Sequence, residues 1–117
     1  MKIIIVEDDE RLQRAWVKTL AIFHGEVAVI SAFTVKEAEE KFSANPDVTL
    51  IVLDACVPGD DINVLPLLEK MRETFKGPII AASSSPSGNE ILVKAGCDFG
   101  CRKEAVVSAI IKMLKLN

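Results

Sequence analysis

Short aliphatic runs alternate five times with amphipathic segments, and this alternation limits the possible folds more than any other feature. The runs are KIIIV (2–6), VAVIS (27–31), VTLIVLD (48–54), PIIAAS (78–83) and FGCR (99–102). Between and after them lie ERLQRAWVKTLAIF, TVKEAEEKFSAN, NVLPLLEKMRETF, NEILVKAG and EAVVSAIIKMLKL. In the first of these, Leu12, Ala15, Trp16, Thr19, Leu20 and Phe23 recur at three- and four-residue spacing, which predicts one face of a helix. Thr34 followed by Glu37 forms a capping box, and Asn45-Pro46 stops that helix. Pro66 fits a third helix that begins near Asn63, because the first turn needs no N–H from it. The strands are continuously apolar rather than alternating, so both sheet faces are covered. Five strands interleaved with five helices predict an α/β fold, a (βα)5 doubly wound, five-stranded parallel sheet with right-handed crossovers.

At 117 residues the chain is expected to be one domain, 1–117, with a single well-covered core. Half of it is hydrophobic and 26% is charged, a balance that excludes a disordered segment. A net charge of −3 argues against nucleic acid or a membrane surface as partner. No apolar run reaches membrane-spanning length, and MKIIIVEDDE lacks a secretory pattern, so the expected location is cytoplasmic. Cys56, Cys97 and Cys101 are odd in number and irregularly spaced, as reduced thiols would be.

Polar residues gather where the runs end. In an open parallel sheet, ligands bind beyond the carboxyl ends of the strands, at the point where the strand order reverses. Strand one ends in Glu7-Asp8-Asp9, strand three in Asp54, strand four in Ser83-Ser84-Ser85 and strand five in Arg102-Lys103. With the common order 2-1-3-4-5, strands one and three are neighbours, so their carboxylates converge while a hydroxyl and an ammonium arrive from strands four and five. An oxygen-rich site of this kind suits Mg²⁺. Asp54 at a strand tip can act as a nucleophile and form an aspartyl phosphate. Lys103 would neutralise the phosphoryl group, and Ser83 would donate to one of its oxygens.

The segments IIIVEDDE, LIVLDACVP, PIIAASSS and AGCDFGCRKE make the chain resemble the receiver domain of two-component response regulators, of the stand-alone CheY-like type, over essentially its whole length. The resemblance implies that Asp54 is the phosphoacceptor and that Ser83 and Lys103 are the switch hydroxyl and the phosphate-pairing lysine. It also implies Mg²⁺ ligands at Glu7, Asp8, Asp54 and the backbone carbonyl of Cys56. The function implied is phosphorelay signalling: a phosphoryl group arrives from a phosphohistidine of a sensor histidine kinase or histidine phosphotransfer protein. A changed surface, on a monomer or weak dimer, then meets a downstream protein.

The chain departs from the family at four places. The 59–63 loop is longer, SSPSG (84–88) reads as a flexible lead into a short fourth helix, and Glu104 replaces the proline after Lys103. Gly100 stands where strand five carries an aromatic, with Phe99 one position early and so on the other face; the aromatic switch is expected to be absent. Two other functions are set beside the first. One is a degenerate receiver that serves only as a docking surface. The other is an aspartyl phosphatase of the haloacid dehalogenase type, disfavoured because EDD replaces its DxD and no cap insertion is present. Asp9 is expected to complement a helix N-terminus, His24 to close the first helix before Gly25, and Trp16 to be core.

Overall fold

The computed structural model describes residues 1–58 and 61–116. Their order is β1 (Lys2–Val6), α1 (Glu10–Phe23), β2 (Ala28–Ala32), α2 (Val35–Ala44), β3 (Leu50–Leu53), α3 (Leu65–Thr74), β4 (Ile79–Ala81), α4 (Pro86–Ala95), β5 (Phe99–Gly100) and α5 (Val106–Met113). A single 3₁₀ turn, Lys103–Ala105, leads into α5. The five strands form one parallel sheet in the order β2-β1-β3-β4-β5, which is the architecture the alternation predicts. Among the described residues no helix is long and apolar enough to cross a membrane.

Strand side chains alternate between two cores. Ile4 and Val6 of β1, with Ile51 and Leu53 of β3, face a cluster completed by Ala38 of α2, Leu67, Leu68 and Met71 of α3, and Leu92 of α4. Ile3, Ile5, Leu50 and Val52 face the other side, against Trp16 and Leu20 of α1 and Val106, Ala109 and Ile110 of α5. Each fully buried aliphatic side chain contributes about 1.5–3 kcal/mol. The central strands carry such residues on both faces, and that is why they read as unbroken apolar runs. Sheet edges and helices therefore hold the polar residues, and the strand tips collect them.

Several element boundaries differ from the sequence expectation. The buried face of α1 is Gln13, Trp16 and Leu20, while Phe23 is 70% exposed. Gln13 turns inward because its Nε2 donates to the carbonyls of Ile5 (2.7 Å), Glu7 (3.3 Å) and Ala32 (3.3 Å), lacing α1 to the ends of β1 and β2. Helix α3 starts at Leu65 rather than near Asn63, with Pro66 inside its first turn as expected. Asn63 instead pairs both backbone groups of Val57, each at 2.8 Å, and its own N–H bonds the Ala55 carbonyl at 3.1 Å. The expected lengthening of the loop falls partly on residues 59 and 60, outside the described residues. SSPSG is no separate lead: Ser85 Oγ caps α4 by accepting from the Gly88 N–H at 3.3 Å, and Pro86 supplies the preset φ of the first helical position. Strand β4 ends at Ala81 and β5 at Gly100, and beyond them the Ser83 N–H and the Cys101 carbonyl bond the Asn89 side chain.

Candidate functional site at the carboxyl ends of the strands

Glu7 follows β1 and stays tied to β2 through a 3.0 Å bond from its N–H to the Ala32 carbonyl. The chain then turns at once into α1, with Asp9 as the N-cap: its Oδ1 accepts from the N–H of Arg11 (2.9 Å) and Leu12 (3.2 Å). Asp9 thus serves the helix terminus, as expected. The tight entry also brings the Asp9 N–H to Glu7 Oε2 at 3.1 Å, which holds that carboxylate pointing across the strand tips.

Asp54 lies one residue past β3, its N–H bonded to the Val6 carbonyl at 3.0 Å and its Oδ1 accepting from the Ala55 N–H at 2.8 Å. It is only 7% exposed and Glu7 2%. A single oxygen of each of Glu7, Asp8 and Asp54 lies within 4.8 Å of the others, with Asp8 the most open to solvent. Two buried carboxylates this close need a cation. Lys103 provides one: its Nζ forms an ion pair with Glu7 Oε1 and lies 3.2 Å from Asp54 Oδ2. The 3₁₀ turn at Lys103–Ala105 accommodates Glu104 without diverting the lysine, whose side chain is 16% exposed.

Burial is the largest influence on both acids. It pushes Glu7 up to about 7, against the opposing hydrogen bonds from Lys103 and the Asp9 N–H. It also raises Asp54, with Lys103 and the Ala55 N–H pulling the other way and Asp8 adding to the rise. The pocket is therefore electrically tense in this state, with one ammonium shared between two acids.

Ser83 sits beyond β4, 6% exposed, its Oγ accepting from the Ser85 N–H at 3.1 Å. Glu7, Asp8, Asp54, Cys56, Ser83 and Lys103 all line one cavity of about 480 Å³. The six site residues expected from the sequence thus line a single cavity. Three carboxylates offer hard oxygen donors to a divalent cation, which the donor set fits, and the ammonium and hydroxyl suit a tetrahedral anion beside it. Cys97 is a buried free thiol, and burial pushes it up to about 12. His24 closes α1 with its N–H on the Leu20 carbonyl, and Trp16 is 6% exposed, both as expected.

Three supporting side chains went unrecognised in the sequence: Gln13, Asn63 and Asn89. Gln13 carried a signal, an amide at helical spacing with Trp16 and Leu20. The two asparagines carried none, since each bonds backbone six residues away or more, across a loop.

No family model matches the sequence, and no curated protein sequence matches it. Solved structures do. The chain superposes on the receiver domain of a Francisella response regulator with a TM-score of 0.78, at 21% identity, covering 97% of this chain and 96% of that one. The BeF₃-activated N-terminal receiver domain of Klebsiella pneumoniae RstA gives 0.79 at 22% identity, covering 98% and 99%. The signal receiver domain of a DNA-binding response regulator from Colwellia psychrerythraea gives 0.80 at 15% identity, covering 98% of each chain. The fold of this chain is the CheY-like receiver fold.

Proposed function

We propose that residues 1–117 form a phosphoacceptor receiver domain. In this reading Asp54 takes a phosphoryl group from the phosphohistidine of a sensor histidine kinase or histidine phosphotransfer protein. The observation that carries it is the convergence of four strand ends on Asp54: Lys103 Nζ at 3.2 Å, the Glu7–Lys103 ion pair behind it, and Asp8 and Ser83 on the same cavity wall.

An Asp54 carboxylate oxygen attacks phosphorus as the P–N bond to the donor imidazole breaks, and that nitrogen takes up a proton. Lys103 and the Ser83 hydroxyl meet the phosphoryl oxygens, where charge develops. Glu7, Asp8, Asp54 and the Cys56 carbonyl would hold Mg²⁺, which when bound neutralises charge on the carboxylates and the phosphoryl group. Hydrolysis of the acyl phosphate returns the carboxylate, so the domain acts on itself and passes a changed surface to a downstream protein. A cytoplasmic site of action follows from such donors.

A second reading has one observation in its favour. Lys103 already shares its charge between Glu7 and Asp54, so the acids are partly neutralised without a metal, as a docking module that is never phosphorylated would require. Incubation with Mg²⁺ and acetyl phosphate decides between them. Intact mass should show one phosphoryl adduct that base removes and that Asp54→Asn lacks. An unmodified wild-type protein, with this donor and with a phosphorylated histidine phosphotransfer domain alike, would sink the phosphoacceptor reading.

A further inference from the structure

Behind Ser83 and Lys103, in an adjoining cavity, lies one amide that bonds to both of their segments. Asn89, in the first half of α4, accepts from the Ser83 N–H through Oδ1 at 2.8 Å. Its Nδ2 donates to the Ser83 carbonyl at 3.4 Å and to the Cys101 carbonyl at 3.0 Å. Ser83 bears the site's hydroxyl, and Cys101 lies two residues before Lys103. A single side chain thus grips the loop that carries the hydroxyl and the strand end that carries the ammonium.

Two glycines make room for this grip. A Cβ on Gly100 would lie 2.7 Å from Asn89 Cβ and 3.0 Å from its Cγ. A Cβ on Gly88 would lie 2.7 Å from Ser83 Oγ. Any side chain at 100 displaces the amide, and any at 88 presses on the hydroxyl. The first turn of α4 is therefore fitted to Ser83 at atomic contact.

We infer that Asn89 is a positioning residue: through Ser83 and Cys101 it sets the spacing between the hydroxyl and Lys103, and it ties that spacing to α4. It touches none of Glu7, Asp8 or Asp54 through any of its hydrogen bonds, so its effect falls on the anion half of the site and spares the metal half. The consequence for phosphoryl binding rests on the function proposed above; the grip on Ser83 and Cys101 does not.

The test uses the whole chain and three measurements on Asn89→Ala and Gly100→Ala. Mg²⁺ affinity is read by calorimetric titration, affinity for beryllofluoride at saturating Mg²⁺ by the same method, and Ser83 amide exchange with the Cys101 carbonyl shift by NMR. Loss of two or three neutral hydrogen bonds should weaken beryllofluoride about tenfold in each variant. Mg²⁺ affinity should stay within about twofold, Ser83 exchange should accelerate, and the Cys101 carbonyl shift should move. Asn89→Asp, which keeps the acceptor for Ser83 but lacks the donor for Cys101, should hold Ser83 exchange near the wild-type rate while still moving Cys101. Beryllofluoride binding unchanged in Asn89→Ala, or Mg²⁺ and beryllofluoride falling together, would overturn the inference. Wild-type protein that binds no beryllofluoride would refute the phosphoacceptor function instead. In that case unaltered Ser83 exchange in Asn89→Ala would still overturn the grip, and accelerated exchange would support it.

Discussion

At the β1, β3 and β5 tips the groups are held by charge, and at the β4 tip by neutral hydrogen bonds. Glu7 and Asp54 are buried acids sharing one ammonium, and both are shifted toward their protonated forms. Ser83 is fixed by the Asn89 amide and by the Ser85 N–H, with no ionised partner. The charged half should respond to pH, to cations and to loss of a partner. The neutral half should respond to shape alone.

The largest effect expected is on removing the shared cation. Lys103→Ala leaves two buried carboxylates unpaired and should lower stability by about 2–4 kcal/mol at pH 8 in urea unfolding without Mg²⁺. At pH 5, where Glu7 holds a proton, the loss should shrink. An equal loss at both pH values would contradict the charge account.

Next comes magnesium. A ligand that binds only the folded state adds about 2.7 kcal/mol at one hundred times its Kd. Titrating Mg²⁺ at pH 8 should raise the urea midpoint accordingly, and Asp54→Asn should remove most of the gain. A midpoint indifferent to Mg²⁺ would leave Lys103 as the site's sole cation and favour the docking reading.

The pH profile of the metal-free protein follows in size. Glu7 is raised from 4.5 to about 7, so between those values the folded state binds more proton than the unfolded chain. The stability that Glu7 contributes is therefore fully present below pH 4.5, falls by on the order of 1–3 kcal/mol as pH rises to about 7, and levels off above it. Asp54, raised for the same reason, adds in the same direction. Glu7→Gln should flatten this slope, which the dependence of the urea midpoint on pH will reveal.

The smallest effect belongs to the neutral half. Ser85→Ala removes the cap of α4 and should cost about 1 kcal/mol by thermal unfolding, alike at pH 5 and pH 8. A pH-dependent loss would show that the two halves are not as separate as their bonding suggests.

The legibility of the molecule follows the same division. Strand and helix order could be read because burying both faces of a parallel sheet demands unbroken apolar runs, as in Ile3–Val6 and Leu50–Leu53. The acids and Lys103 could be read because a charge at the end of such a run has few structural reasons to be there. The α1 face was misjudged by Phe23 and Gln13, since periodicity ranks residues by hydropathy, and a buried amide whose Nε2 donates to three carbonyls defeats that ranking. The start of α4 was misplaced because a run of small polar residues fits a loop and a capped first turn equally well.

By itself the sequence determined the layered α/β architecture and which strand tips carry carboxylate, hydroxyl and ammonium, because period and charge are local properties of a chain. Only the tertiary structure decided that Lys103 bridges Glu7 and Asp54, that Asn63 closes the loop after β3, and that Asn89 joins Ser83 to Cys101 over Gly100. Those contacts depend on distances between loops brought together by the packed sheet, and a hydrogen bond exists only once such a distance falls to about 3 Å.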